Sequence, residues 1–139
     1  MELTGTHTFA ASPEAVWNAL HNSEVLKNSI PGVESVAWQG ESAVTATISG
    51  IGPIKGPYSG TLQVAEHAAP SHLKIVRNGN SISGALTVDL TPNGSGTLLT
   101  YGATGNLSGP FALLDNPLTR PVIDSQINQF FTRLESQIK

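Results

Sequence analysis

Residues 121–138 read PVIDSQINQFFTRLESQI. Ile123, Ile127, Phe130, Leu134 and Ile138 stand four, three, four and four positions apart, which puts them on one face of an α-helix. Pro117 and Pro121 interrupt the beginning of the pattern, so the helix is either kinked there or starts near Pro121. A long helix with one apolar stripe needs a broad apolar surface to lie on. The residues before it supply one. From Val33 to about Leu107 the apolar period is two, and strands are expected at 33–39, 42–50, 56–67, 72–78, 82–91 and 96–106. Gln39-Gly40-Glu41, Asn78-Gly79-Asn80 and Pro92-Asn93-Gly94 separate them, and Asn-Gly between alternating apolar runs is a strong hairpin signal. Successive hairpins make an antiparallel meander.

Further upstream, Leu3, Gly5, His7 and Phe9 alternate with three threonines, so 2–10 reads as another half-buried strand. Ser12-Pro13-Glu14 then offers an N-cap, a proline for the first helical position and an acid in the first turn. Val16, Trp17 and Leu20 give that short helix its apolar side. Val25, Leu26 and Ile30 indicate a second one, stopped by Pro31-Gly32. The expected architecture is α+β, of helix-grip type. A seven-stranded curved antiparallel sheet surrounds a long C-terminal helix, two short helices follow the first strand, and residues 1–139 form one domain. One helix cannot fill the concavity of so wide a sheet, so interior space is expected.

Composition narrows what such a fold can do. Net charge is −3 with a pI near 5.7, and the few Lys and Arg are scattered, which argues against a nucleic-acid partner. The absence of cysteine excludes a disulfide framework, a thiolate metal site and a cysteine nucleophile. The start, Met1 to Gly5, has neither a basic segment nor an apolar run, so no signal peptide is expected and the location is expected to be cytoplasmic. No apolar stretch approaches the roughly 18 residues of a membrane span. The two Asn-x-Ser sequons, at Asn93 and Asn106, are therefore read as chance matches.

Few polar residues offer chemistry. His7 shares parity with Leu3 and Phe9 and is read first as a core histidine. His21 ends the first helix, His67 and His72 flank a turn and should be solvated, and Asp89 should face water. No metal site is expected, because the histidines lack ligand spacing with any carboxylate. There is no nucleophile elbow, phosphate loop or carboxylate pair. Gly60 and Gly84 fall on inward rows, where they either let the sheet bend or leave room for a ligand. The candidate lining of that space is Trp17, Ile48, Tyr58, Leu62, Ile82, Leu86, Tyr101, Leu118, Ile123 and Ile127. The loop from Gly50 to Pro57 carries Ile51, Ile54 and Lys55, either folded over the cavity mouth or forming a docking tip for a partner or membrane.

Phe9-x-x-x-Pro13-Glu14-x-Val16-Trp17-x-x-Leu20 is similar to the opening of START-like (SRPBCC) helix-grip proteins. With Ile30-Pro31-Gly32-Val33-Glu34 and Gly52-Pro53-Ile54-Lys55-Gly56, the chain resembles the CoxG-like family of carbon monoxide dehydrogenase subunits over essentially its whole length. That resemblance implies a non-catalytic accessory protein for a molybdenum-dependent dehydrogenase. It would bind a quinone or other lipid-like molecule and touch the membrane peripherally. Some relatives carry a C-terminal extension for membrane contact, whereas this sequence ends with the helix at Lys139. Three readings follow. The first is a hydrophobic-ligand carrier with no cofactor. The second is a cyclase- or lyase-type enzyme using His7 or Tyr101. The third is an interaction module acting through 51–55.

Overall fold

The computed structural model of the chain describes residues 2–51, 54–79 and 82–138. In chain order the elements are β1 (Glu2–Phe9), α1 (Pro13–Leu20), α2 (Ser23–Ser29), β2 (Val33–Gln39), β3 (Ala43–Ile51), β4 (Ile54–Ala68), β5 (His72–Asn78), β6 (Ile82–Asn93) and β7 (Gly96–Leu107). A 3-10 turn at Gly109–Leu114 and α3 (Arg120–Gln137) complete it. All seven strands join one antiparallel sheet in the order β1-β7-β6-β5-β4-β3-β2. β2 to β7 are the meander, and β1 adds to its far edge with Glu2 opposite Thr104 and Phe9 opposite Thr97. Because β1 and β2 are the two edges, α1 and α2 must cross the width of the sheet to connect them. They close one end of its concave face.

Local chemistry sets the helix ends. The Ser12 hydroxyl accepts from the Ala15 N–H at 3.3 Å, and Asn22 Oδ1 accepts from the N–H groups of Glu24 and Val25 at 3.1 and 3.2 Å. α3 begins at Arg120, so Pro121 occupies its first turn, where a missing N–H costs nothing, and Pro117 lies before the helix. The core gathers where α1, α3 and the closed end of the sheet meet: Phe9, Val16, Leu90, Leu99 and Leu134 are fully buried there. Two buried hydroxyls tie the layers together. Thr97 donates to the Ala11 carbonyl at 2.8 Å. Ser29 donates to the Val25 carbonyl at 2.6 Å and accepts from Gln137 Nε2 at 2.7 Å, fixing α2 to the end of α3.

The sheet is interrupted by register shifts, one of them between Val64 and Glu66 where β4 meets β5. Tyr58, Gly60, Leu62 and Val64 share one row of β4. One extra residue, Ala65, reverses the parity, so His67 pairs with the buried Leu73 and turns inward. The expectation that His67 is solvated is thereby corrected. His67 Nε2 meets His21 Nε2 at 3.3 Å, and its ring stands edge-on to Trp17 at 5.0 Å.

Candidate functional site

The concave face of the sheet is covered unevenly. At the closed end, α3 lays Phe131 and Leu134 onto Phe9, Leu90 and Leu99. Toward the other end, Phe111 and Ile123 are buried, with Leu3, Tyr58, Ile82, Leu107 and Ile127 packed around them. Tyr58 tilts on Phe111 at 4.5 Å. Of the expected lining, this second cluster unites Tyr58, Ile82, Ile123 and Ile127. Ile48, Leu62 and Leu86 belong to neither cluster. They sit on inward rows, since Ile48 pairs with Tyr58, Leu62 with the buried Val44, and Leu86 with the core-packed Ile75. All three nonetheless remain partly exposed. This apolar stretch of the inner sheet surface packs against neither of the two buried clusters.

Three other expected residues stand elsewhere. Leu118 is 86% exposed, because α3 starts only at Arg120 and the turn before it carries Leu118 outward; it does not line the interior. Trp17 is a buried core residue at the closed end, held against His21 and His67. Tyr101 leans on Phe131 with its ring over Gly5, where a methyl would meet the phenol oxygen at 2.5 Å. Burial raises the Tyr101 pKa, Asp124 raises it further and Arg120 opposes this. At the 51–55 loop, Gly52 and Pro53 and the side chains of Ile51 and Ile54 lie outside the described residues, and both readings of that tip lie there with them.

The inward glycines prove to be occupied. A Cβ at Gly60 would lie 2.6 Å from Arg77 Cζ, so the space there holds the guanidinium of Arg77. A Cβ at Gly84 would meet the backbone of β7, 2.7 Å from Gly105 Cα, so this glycine permits close strand approach. The residue that sequence reasoning missed is Arg77. Its parity with Leu73 and Ile75 was visible, but its reach to Gly60 depends on the β4–β5 register.

The ionisable groups fall into separate settings. His7 stacks on Phe131 at 4.9 Å and meets Phe9 edge-on at 4.7 Å. Its buried Nε2 has no hydrogen bond, and Glu135 Oε1 is 3.7 Å away. His21 donates from Nδ1 to the Trp17 carbonyl at 2.8 Å, which leaves Nε2 to accept from His67 while both rings are neutral. Burial pushes the His21 pKa below the usual imidazole value. The Trp17 carbonyl counters this, the neighbouring His67 adds to it, and Glu41 opposes it. On the outer face His72 is held between Asp89 at 2.6 Å and Glu66 at 2.7 Å. With both ring nitrogens facing carboxylates it is a double donor, and hydrogen bonds to Asp89 and then Glu66 raise its pKa. No cluster of three or more metal-ligating side chains occurs among the described residues.

A curved antiparallel sheet around a C-terminal helix, with partly exposed apolar residues on its inner face, is the START-like fold class. A START superfamily protein from Mycobacterium smegmatis has this architecture, with a TM-score of 0.76 at 15% identity over 99% of this chain and 96% of that one. The chain belongs to the CoxG family of carbon monoxide dehydrogenase subunits, whose sequence profile matches residues 5–139. A conserved protein from Geobacillus kaustophilus is 26% identical, with a TM-score of 0.84 over 99% of this chain and 95% of that one. A protein from Thermus thermophilus gives 0.77 at 18% identity, over 99% and 97%. No curated protein matches the chain significantly. The family and fold are those of ligand-binding accessory proteins in general.

Proposed function

We propose that this protein is a non-catalytic carrier that takes an apolar molecule, a quinone or lipid-like compound, against the partly exposed inner face of its sheet. In this reading it serves a molybdenum hydroxylase-type dehydrogenase in the cytoplasm. The observation that carries it is the partial exposure of Ile48, Leu62 and Leu86 on inward rows of the sheet, outside both buried clusters. Exposed apolar area gains roughly 25 cal/mol per Å² when a ligand covers it. Tyr58 and Ile82 on the sheet and Ile123 and Ile127 on α3 would complete the lining. The family name supports the enzyme partner, since it is that of a component of carbon monoxide dehydrogenase. No helix of the described residues is long and apolar enough to cross a membrane. Peripheral contact would use Leu113, Leu118 and Val122, which are exposed around the start of α3.

The catalytic alternative finds less support. His7 is packed between Phe9 and Phe131 with Glu135 3.7 Å from its Nε2, too far for a hydrogen bond, and Tyr101 is packed on Phe131, so neither is hydrogen-bonded to a general acid or base among the described residues. Gentle purification, organic extraction and mass spectrometry test the proposal. A stoichiometric apolar compound that is lost from a Leu62→Trp variant supports it. Ligand-free protein that also fails to bind added quinone or fatty acid would sink it.

A further inference from the structure

Among the partly exposed inner residues stands one cation. Arg77 lies on the same row of β5 as the buried Leu73 and the core-packed Ile75. It pairs with Gly84, and Gly84 pairs with Gly105. Its guanidinium extends over Gly60, which pairs with Ala46. Gly84 and Gly105 thus flank Arg77 on one side and Leu62 on the other, and the guanidinium reaches past Leu62 to rest over the Gly60–Ala46 pair. Among the described residues it makes one hydrogen bond, donated from Nη1 to the Thr61 carbonyl at 3.2 Å, and it has no carboxylate within ion-pair distance. A guanidinium has five N–H donors, so most of its capacity is unused. A half-buried cation on an apolar surface is disfavoured unless something pairs with it.

We infer that the ligand of the inner face is an amphiphile with an acidic head group, which Arg77 receives while the chain lies along Ile48, Leu62 and Leu86. This rests on the ligand-binding reading above and specifies its chemistry. The fork of a guanidinium matches a carboxylate or phosphate through two parallel hydrogen bonds. A neutral quinone carbonyl can accept one hydrogen bond but neutralises no charge. The surrounding residues supply the other half of the match. Leu62 adjoins Arg77 across the β4–β5 pairing, where Gln63 is opposite Val76, and Leu86 lies two residues from Gly84 on the same row. Head-group charge and apolar tail therefore meet their complements within one strip of sheet.

The test is a fluorescence titration of the full chain with cis-parinaric acid and with its methyl ester, at a pH where the free acid is ionised. A hydrogen bond to a charged group is expected to favour the acid by about tenfold or more. Arg77→Met keeps the apolar stem and should abolish that preference by weakening binding of the acid far more than that of the ester; Arg77→Lys should restore part of it. Gly60→Ala, which displaces the guanidinium, is a second route to the same loss, and thermal melts confirm that each variant is folded. Displacement of the bound acid by palmitate or by lysophosphatidic acid then tells a carboxylate source from a phosphate source. Equal affinity for acid and ester in the unaltered protein, or a preference that survives Arg77→Met, overturns this inference and leaves the carrier reading standing. Binding of neither probe, nor of an added quinone, overturns both.

Discussion

Deleting the same atoms at three leucines should reveal whether the inner face is open. Leu134 is fully buried in the cluster where α3 meets the sheet, whereas Leu62 and Leu86 are partly exposed and outside both clusters. Leu134→Ala removes a side chain that the surroundings cannot replace, so it loses transfer energy and leaves a cavity. Such changes cost about 2–5 kcal/mol. Either of the other two is less than about two-fifths exposed, so most of the transfer term is lost there but no enclosed cavity is left, and the cost is about 1–2 kcal/mol. In a chain of this size about 1 kcal/mol moves Tm by roughly 4 °C. Leu134→Ala should therefore lower Tm on the order of 10 °C, and Leu62→Ala or Leu86→Ala only about half as much. Urea unfolding of delipidated protein, with m-values compared, gives the free energies. Costs at Leu62 and Leu86 equal to that at Leu134 would mean that this surface is packed core, and the argument for a ligand would fail.

Three further outcomes follow from the geometry. The His21 pKa is lowered in the folded state, so its contribution to stability is complete above about pH 6.5 and is lost as pH falls through the folded value. Both tryptophans of the chain, Trp17 and Trp38, lie with ring centroids 4.5 Å from His21, so their fluorescence should fall in the same acidic window. A His21-dependent midpoint above pH 6.5 would contradict this. His72 behaves oppositely. Its pKa is raised, so its stabilisation is present below about pH 6.5 and disappears as pH rises through the folded value; the difference in Tm between wild type and His72→Gln should shrink over that rise. Gly84→Ala drives a methyl into the backbone of β7 and should cost about 1–3 kcal/mol, whereas Gly60→Ala meets only the mobile end of Arg77 and should cost less than about 1 kcal/mol, so equal melting temperatures would refute the distinction.

The fold was legible because its signals are local. The stripe from Ile123 to Ile138, the Asn-Gly turns and the Ser12-Pro13 start each declare an element without knowledge of its partners. The site was legible only in part. Tyr58, Ile82, Ile123 and Ile127 were found from parity and helical spacing, and the structure gathers them. His67 was misplaced because a bulge at Ala65 is a relation between two strands and leaves no mark on one of them. Leu118 was counted as interior although it stands one turn too early, in a segment whose proline and helix start put it outside. Gly60 was read as a bend in the sheet or as room for a ligand, because a glycine shows what is missing and never what has moved in. Here the occupant is Arg77, seventeen positions away in sequence.

Methyl-resolved NMR of isoleucine- and leucine-labelled protein tests the central claim most directly. On titration with a short-chain quinone or cis-parinaric acid, shifts should concentrate at Ile48, Leu62 and Leu86, with the buried Leu90, Leu99 and Leu134 nearly still. Saturating shifts confined to Leu113 and Leu118, or none at all, would contradict it.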